Sequence, residues 1–374
     1  MARRPLDAPS ISDRALNRAT LMRQGLLARE AVSVEAMLHR LIGMQGQVQN
    51  APYIGLWTRL EGFVAADLEA LLKDRRAVRA TIMRSTLHVG LAEDFLAVRP
   101  LIDPVTLRTF RGNHVAPLKG ADIDAVRKAS RVLLDAGALR PRALGEQLQA
   151  RWPEVDPIAL SMPARFLEPV VHVPPAGLWG ATGMPELTSA RRWLGREPGV
   201  PIGLEALMLR YLAGFGPASG SDFNAWSGLT GGSAVLERLR PRLVSFAAAD
   251  GREVFDLPDA PRPPEDTPAP VRLLPDYDNV VFGYAERGRI LSPESARGLW
   301  RNNGQRPAFL VDGSVRGCWR LTSTAKTARL ELSWFTPLRR RDEADLRREG
   351  MAMLKALLPG RAAEIGIAAF EGGK

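Results

Sequence analysis

The chain has 374 residues, of which 45% are hydrophobic and 25% are charged, so it is not a disordered chain. Its length suggests about two or three domains, each with its own core. The single cysteine, Cys318, excludes an intramolecular disulfide and a thiolate metal cluster, and it fits a reducing cytoplasm. The four histidines are scattered without the paired spacing of zinc hydrolases, so no metal site is predicted.

The charge balance is strongly basic. Lys and Arg exceed Asp and Glu by 51 − 41 = 10, and the pI is about 10.4. Only six of the basic residues are Lys, and the guanidinium group of Arg suits bidentate contacts with phosphate. A GC-rich genome explains the preference for Arg over Lys equally well, but it does not explain the net charge. The balance favours nucleic acid or an anionic membrane surface as the partner.

Neither a signal peptide nor a transmembrane segment is predicted. The first ten residues carry charge, but no apolar stretch follows them. No run approaches the roughly eighteen apolar residues that span a bilayer. We therefore expect a cytoplasmic, nucleoid-associated protein that has no membrane partner.

The first region, residues 1–118, is predicted to contain several helices and then a hairpin. Apolar residues recur at helical spacing, and Ser33 stands where the cap of the second helix is expected, in an imperfect capping box. Helices followed by a short hairpin are typical of a winged helix. The predicted elements are helices at 14–29, from 33, at 66–74 and at 94–98, with strands within 77–90.

The pattern recurs in residues 119–200 and 201–260. In the last of these regions, Thr230 and the glycines after it are predicted to cap a helix that presents Arg238 and Arg240. One winged helix can serve as a protein-interaction module, but repeated copies in a basic chain favour DNA as the partner. The predicted helices are 122–135, from 142, 203–212, 221–226 and 232–240, and the predicted wings lie within 170–180 and 243–257.

A proline-rich linker, residues 258–270, precedes a fourth region, 271–374. Asp312-Gly313 predicts a tight turn between two alternating strands, and residues 341–358 form an amphipathic pattern. Arg316 and Arg320 flank that hairpin, where they either enter a DNA groove or belong to a solvated face. The predicted fold is therefore α+β, with tandem winged-helix motifs and a strand-rich C-terminal portion.

Three glutamines alternate in the segment "GMQGQVQN": Gln45, Gln47 and Gln49. In an extended segment all three line one side, whereas in a helix Gln47 points away from the other two. A neutral amide is no general base, but its oxygen can hold a water and its nitrogen can donate to a phosphate or sugar. The alternative is that these amides only satisfy neighbouring backbone groups.

Four blocks carry a family resemblance. They are "LIGMQGQ…PYIGLWTRLEGF", "VRATIMRSTLHV", "GFGPASGSDFNAWSGL" and "LLPDYDNVVFGYAERGR". In this order they resemble the bacterial winged-helix DNA-binding family whose characterised members are DNA glycosylases related to the azinomycin-resistance enzyme. The likeness extends from about residue 13 to about residue 360. It implies winged helices around a duplex-binding channel and a monofunctional glycosylase that uses no metal or cofactor.

The resemblance also implies a catalytic pair. The family signature is Gln, one small or apolar residue, then Gln or Asp, which here falls on Gln45 and Gln47. Gln47 and Gln49 satisfy the bare pattern too, so the register has an alternative. N-alkylation leaves the purine a good leaving group, so two amides that position water and stabilise a sugar cation suffice. A crosslinked nucleotide stays tethered, so a shallow site is expected.

Other residues in these blocks are weaker candidates. Asp276 and Asp278 either orient water or stabilise a turn. Three tryptophans, Trp57, Trp226 and Trp319, are predicted to be core residues. The candidate phosphate or lesion contacts in the blocks are Arg84, His88, Arg287 and Arg289.

Two classes of function compete. The favoured one is a monomeric glycosylase that excises bulky or crosslinked N-alkylpurines from duplex DNA. The alternative is a non-catalytic winged-helix regulator whose glutamines only contact phosphate. A regulator usually has one recognition unit and dimeric symmetry, and this chain has repeated units instead.

Overall fold

The computed structural model describes residues 8–301 and 304–371. Serine caps set the first helices, because Ser12 and Ser33 accept hydrogen bonds from the backbone amides of Ala15 and Ala36. The predicted cap at Ser33 is therefore confirmed. The first region comprises β1 (Ser10–Ile11), α1 (Asp13–Arg23), α2 (Val34–Leu41), β2 (Met44–Gln45), α3 (Ala51–Trp57), α4 (Ala65–Lys73), β3 (Ala77–Thr81), β4 (Leu87–Leu91) and α5 (Ala92–Asn113).

Three helices, two strands and a short fourth helix follow a 3₁₀ turn at Ala116–Leu118. Gly137 ends the first of these helices, close to the predicted end at residue 135, and the side chain of Asp156 caps the third. That third helix was not predicted. The elements are α6 (Ile123–Ala136), α7 (Pro141–Leu148), α8 (Pro157–Leu167), β5 (Val170–His172), β6 (Leu187–Ser189) and α9 (Ala190–Leu194).

The next region again has three helices and a strand pair. The N-cap of α12 lies within the predicted capping segment: it is Gly231, which has no side chain, so the Asn224 side chain accepts from the amide of Gly232 at 3.0 Å instead. A 3₁₀ turn, Arg240–Arg242, leads into the strands. The elements are α10 (Leu204–Phe215), α11 (Gly220–Ser227), α12 (Gly232–Leu239), β7 (Val244–Ala248) and β8 (Glu253–Asp256).

The C-terminal region is rich in strands. Asp312 and Gly313 have φ of 47° and 79°, so the predicted tight turn is confirmed. The last strand was missed by the sequence patterns. The elements are β9 (Arg272–Leu274), α13 (Asn279–Phe282), α14 (Pro293–Leu299), β10 (Trp300–Arg301), β11 (Gly304–Gln305), β12 (Ala308–Val311), β13 (Ser314–Ser323), β14 (Thr327–Trp334), α15 (Arg340–Leu357) and β15 (Ala362–Ala369).

Sheets join segments that are distant in sequence. One five-stranded sheet has the order β2-β4-β3-β5-β6, and it crosses the predicted boundary between residues 118 and 119 through the pairing of Arg79 with His172. A second has the order β15-β14-β13-β12-β9, with β15 parallel to β14. β1 adds to the β7–β8 hairpin by parallel pairing. The mixed α+β class is confirmed.

The interior contains the expected aromatic residues. Trp57, Trp226 and Trp319 are 6%, 1% and 6% exposed, which confirms the prediction that they belong to the core. The proline-rich linker is also held in place, because Arg14 and Arg18 donate to the carbonyls of Glu265 and Thr267 at 2.8 and 2.6 Å. The linker is therefore a packed strap along α1. No helix within the described ranges is long and apolar enough to cross a membrane.

Candidate active site

Gln45 lies on β2, which pairs with β4 so that Gln45 stands opposite His88. The side chain is 7% exposed, and its Oε1 accepts a hydrogen bond from Arg84 Nη2 at 2.9 Å. Asn279 supports the start of this strand by donating to the Gly43 carbonyl at 2.9 Å. Gln45 is therefore a fixed amide whose oxygen is polarised by a guanidinium.

Arg84 lies in the turn between β3 and β4. Arg84 and Ser85 have φ of 50° and 58°, a conformation that costs about 1 kcal/mol or more per residue when the residue is not glycine. The Arg84 amide donates to the Ser227 carbonyl at 3.0 Å, and Nη1 donates to the Trp226 carbonyl at 2.5 Å. This turn joins the glutamine strand to the end of α11, so three of the resembling blocks meet here.

Gln47 and Gln49 have different surroundings. Gln47 is exposed, and its Oε1 lies 3.5 Å from the amide of Leu87. Gln49 instead donates to two carbonyls of the loop between β5 and β6, Leu178 at 3.1 Å and Ala181. The amide nitrogen of Gln49 is thus engaged in hydrogen bonds within the protein. Gln47 presents its amide to solvent beside Leu87, the neighbour of His88, which pairs with Gln45.

His88 is fully buried beside Arg84. Burial, with the positive charge of Arg84, lowers the pKa of His88 to about 3, so the ring is neutral at physiological pH. Its Nδ1 lies 2.9 Å from the Thr86 carbonyl, an acceptor, which assigns the ring proton to Nδ1. A buried neutral imidazole positions its neighbours, and the role of His88 as a phosphate or lesion contact stays a prediction.

Four arginines near the glutamines have no salt bridge with a carboxylate in the part of the chain that the structure describes: Arg79, Arg84, Arg165 and Arg287. Burial lowers the pKa of Arg79 and of Arg84 to about 10, and it lowers the pKa of Arg165 and Arg287 as well. Unpaired, partly desolvated cations gain most from an incoming anion. Arg79 and Arg165 were missed by the sequence patterns, because one lies within a strand and the other at the end of an unpredicted helix.

Arg287 extends this group from the C-terminal region. Its guanidinium lies 5.7 Å from the ring of Phe282 and 5.3 Å from that of Trp300, and Arg84 lies 5.8 Å from the same Phe282 ring. The two arginines therefore flank one half-buried aromatic side chain.

The other predicted phosphate contacts have different partners. Arg289 is 4% exposed and donates to the Pro217 carbonyl at 2.9 Å, so it is an interior residue and the expectation of a phosphate contact is corrected. Arg238 pairs with Glu205, Arg240 pairs with Glu237 and Glu253, and Arg320 pairs with Glu331. Arg316 is half-buried, with a buried Nε that has no hydrogen-bond partner in the described residues.

The two aspartates of "LPDYDN" have separate roles. Asp278 accepts two hydrogen bonds from Arg59, at 2.7 and 2.9 Å, and both side chains are 0% exposed. Asp278 also caps α13 by accepting from the Val280 amide at 2.9 Å. The structural alternative, stabilisation of a turn, therefore holds for Asp278.

Asp276 lines an open cleft of about 800 Å³ between the loop after the glutamines and the C-terminal sheet. Burial raises the pKa of its carboxyl from 3.8 to about 6. An acid whose pKa is higher in the folded state than in the unfolded state destabilises the fold when it ionises. The free energy of unfolding therefore falls as the pH rises from about 4 to about 6.

We expect Asp276→Asn to raise the free energy of unfolding more at pH 7.5 than at pH 5, as measured by urea denaturation. An equal change at both pH values would contradict this assignment.

No three His, Cys, Asp or Glu side chains of residues 8–301 and 304–371 are grouped as metal ligands. The chemistry of the site is that of amides, guanidinium groups and hydroxyls. Such groups position water and bind anions.

Comparison with known proteins defines the class of protein. A family model described as DNA glycosylase AlkZ-like matches residues 38–356. The chain belongs to this AlkZ-like family, and it is a DNA glycosylase, an enzyme of DNA repair that acts on DNA. Because the chain belongs to an enzyme family, the glycosylase is retained and the alternative of a non-catalytic regulator is set aside.

Among solved structures, the protein is similar to the Streptomyces sahachiroi DNA glycosylase AlkZ. The TM-score is 0.78 at 18% sequence identity, over 96% of this chain and 100% of that chain. At this identity the likeness shows a shared fold. No curated protein sequence matches the chain.

Proposed function

We propose that this glycosylase hydrolyses the N-glycosidic bond of bulky or crosslinked N-alkylpurines in duplex DNA, with Gln45 and Gln47 as its catalytic residues. The observation that carries the proposal is the arrangement of two amides against neighbouring residues of β4. One is buried and fixed by Arg84, and the other is exposed. The unpaired arginines around them suit the phosphates of the DNA.

The contacts of Gln49 support the choice of register. Both hydrogen bonds of the Gln49 amide nitrogen are to carbonyls of the loop after β5, and they hold this side chain against that loop. Within the part of the chain that the structure describes, Gln47 has the long contact with the Leu87 amide and no other hydrogen bond from its side chain. Gln45 and Gln47 are therefore the pair that we assign.

The reaction needs little general acid or general base catalysis. Alkylation at N7 or N3 gives the purine a positive charge, so the bond to the sugar breaks readily. The amide oxygen of Gln47 can hold the attacking water, and the oxygen of Gln45, kept in place by Arg84, adds a negative dipole facing the sugar cation. A pre-positioned dipole stabilises that cation without reorganising during the reaction.

The exposure of Gln47 supports the choice of a tethered substrate. A nucleotide crosslinked to the opposite strand cannot rotate into a deep pocket, because the link limits how far it moves. An amide on an open surface can contact such a nucleotide while the nucleotide remains in the duplex. The exposed position of Gln47 therefore suits both crosslinks and bulky monoadducts.

We also propose that the protein works as a monomer in the cytoplasm, bound to duplex DNA. The two runs of three helices and a strand pair, α6 to β6 and α10 to β8, have the element order of winged-helix units. We assign one such unit to each of the regions 1–118, 119–200 and 201–260, around a DNA channel, with 271–374 as the strand-rich remainder.

Base release tests the proposal directly. Duplexes carrying an N7-alkylguanine monoadduct or a nitrogen-mustard crosslink are incubated with the protein, and abasic sites are cleaved with alkali and counted. We expect abasic product from both substrates. Tight duplex binding with no abasic product from either would show that the substrate class is wrong.

A further inference from the structure

A small cavity lies beside Gln47, between β3, β4, α8 and β5. Its volume is about 100 Å³, well below the roughly 300 Å³ at which pockets for drug-sized ligands begin. The polar side chains that line it are Gln47, Thr81, Ser85, Arg165 and His172. No carboxylate lines it among the described residues.

The proton of His172 is placed by its neighbour. Arg79 contacts Nδ1 of His172, and a guanidinium can only donate, so Nδ1 accepts. Burial, with the charges of Arg79 and Arg165, lowers the pKa of His172 to about 3, so the ring is neutral. The single ring proton is therefore on Nε2, and His172 offers a hydrogen-bond donor.

The other polar groups also offer donors. The Ser85 hydroxyl is buried without a hydrogen-bond partner in the described residues. Among the described residues, the Arg165 guanidinium has one hydrogen-bond contact, to the sulfur of Met162 at 3.4 Å. Burial lowers the pKa of Arg165, so a bound anion would stabilise its charged form. The positive charge of Arg79 lies behind the ring of His172. Donors and positive charge without a carboxylate define a site for a small oxyanion.

We propose that this cavity binds one internucleotide phosphate of the DNA substrate, adjacent to the sugar that Gln47 addresses. The assignment rests on the proposed function, because Gln47 at the cavity wall places the phosphate next to the reacting nucleotide. Arg165, Ser85 and His172 are the donors to its oxygens. A phosphate held here fixes the register of the strand, so that the sugar meets the two amides.

The test is a binding experiment that requires no catalysis. Duplexes carry an abasic analogue that cannot be hydrolysed, and each phosphate around it is replaced in turn by a neutral methylphosphonate. We expect Arg165→Gln to weaken binding about tenfold to a hundredfold, the usual loss for a hydrogen bond to a charged group. We expect one methylphosphonate position to weaken the wild type by a similar factor and to have no further effect in Arg165→Gln.

Matched variants control for folding and for general charge. Arg142→Gln removes an exposed arginine that is paired with Glu146 on α7, and we expect little change. Ser85→Ala removes one donor and is expected to give a smaller loss at the same phosphate position, so it keeps the test valid if Arg165→Gln does not fold. If the effects of Arg165→Gln and of the methylphosphonates add at every position, the proposal is overturned.

A second arm separates DNA phosphate from free phosphate. If inorganic phosphate at constant ionic strength stabilises the wild type but not Arg165→Gln, while DNA affinity is the same in both, the cavity binds a free anion and the proposal is wrong. The phosphate site is tested by binding alone. Absence of base release from alkylated duplexes would therefore refute the proposed function without changing the interpretation of the binding data.

Discussion

Gln47→Ala is expected to slow single-turnover release of N7-alkylguanine from duplex DNA by about a hundredfold to a thousandfold, the effect of removing one pre-positioned dipole from an active site. Duplex affinity should not change, because the exposed amide of Gln47 has only a 3.5 Å contact with the Leu87 amide. Gln45→Ala should slow release as strongly, and it should also weaken binding, because Arg84 loses its 2.9 Å partner. Release is followed by gel after alkaline cleavage, and affinity by fluorescence anisotropy.

Gln49→Ala is the matched control. Its amide donates to the carbonyls of Leu178 and Ala181, so its loss should loosen the loop and leave the chemical step nearly intact. A loss of release in Gln49→Ala equal to that in Gln47→Ala, with Gln45→Ala near the wild type, would instead assign the pair to Gln47 and Gln49.

Asp278→Ala is expected to lower the free energy of unfolding by about 3–5 kcal/mol. The change leaves the buried guanidinium of Arg59 without its two hydrogen bonds of 2.7 and 2.9 Å, and α13 loses its cap. Urea denaturation followed by circular dichroism measures the loss. The glutamine strand should be disturbed as well, because the next residue, Asn279, donates to the Gly43 carbonyl.

Two comparisons make this result specific. Asp276→Ala, two residues away in the same motif, removes a carboxyl that has no salt bridge among the described residues, and it should cost far less. The double variant Arg59→Met with Asp278→Leu should be more stable than Asp278→Ala, because no unpaired charge stays buried. A double variant as unstable as the single one would show that packing, and not the ion pair, decides the loss.

Part of the fold follows from local patterns. The serine at position 33 caps a helix, Asp312-Gly313 makes a tight turn, and the three tryptophans lie in the core. These features depend on a residue and its near neighbours, so a sequence contains them directly. The last strand, β15, was missed because its partner is β14, which precedes a whole helix.

The candidate site also has features that follow from the sequence and features that depend on remote segments of the chain. The basic charge, the three glutamines and the family blocks that contain them are read directly from the amino-acid sequence. Which of several similar residues are available to bind DNA depends on the folded chain. Arg287 stays half-buried over aromatic rings, while Arg289, two residues on, is an interior residue. Burial and partners come from remote segments, as when β3 pairs with β5 and brings Arg79 to His172, so no local pattern could have placed them.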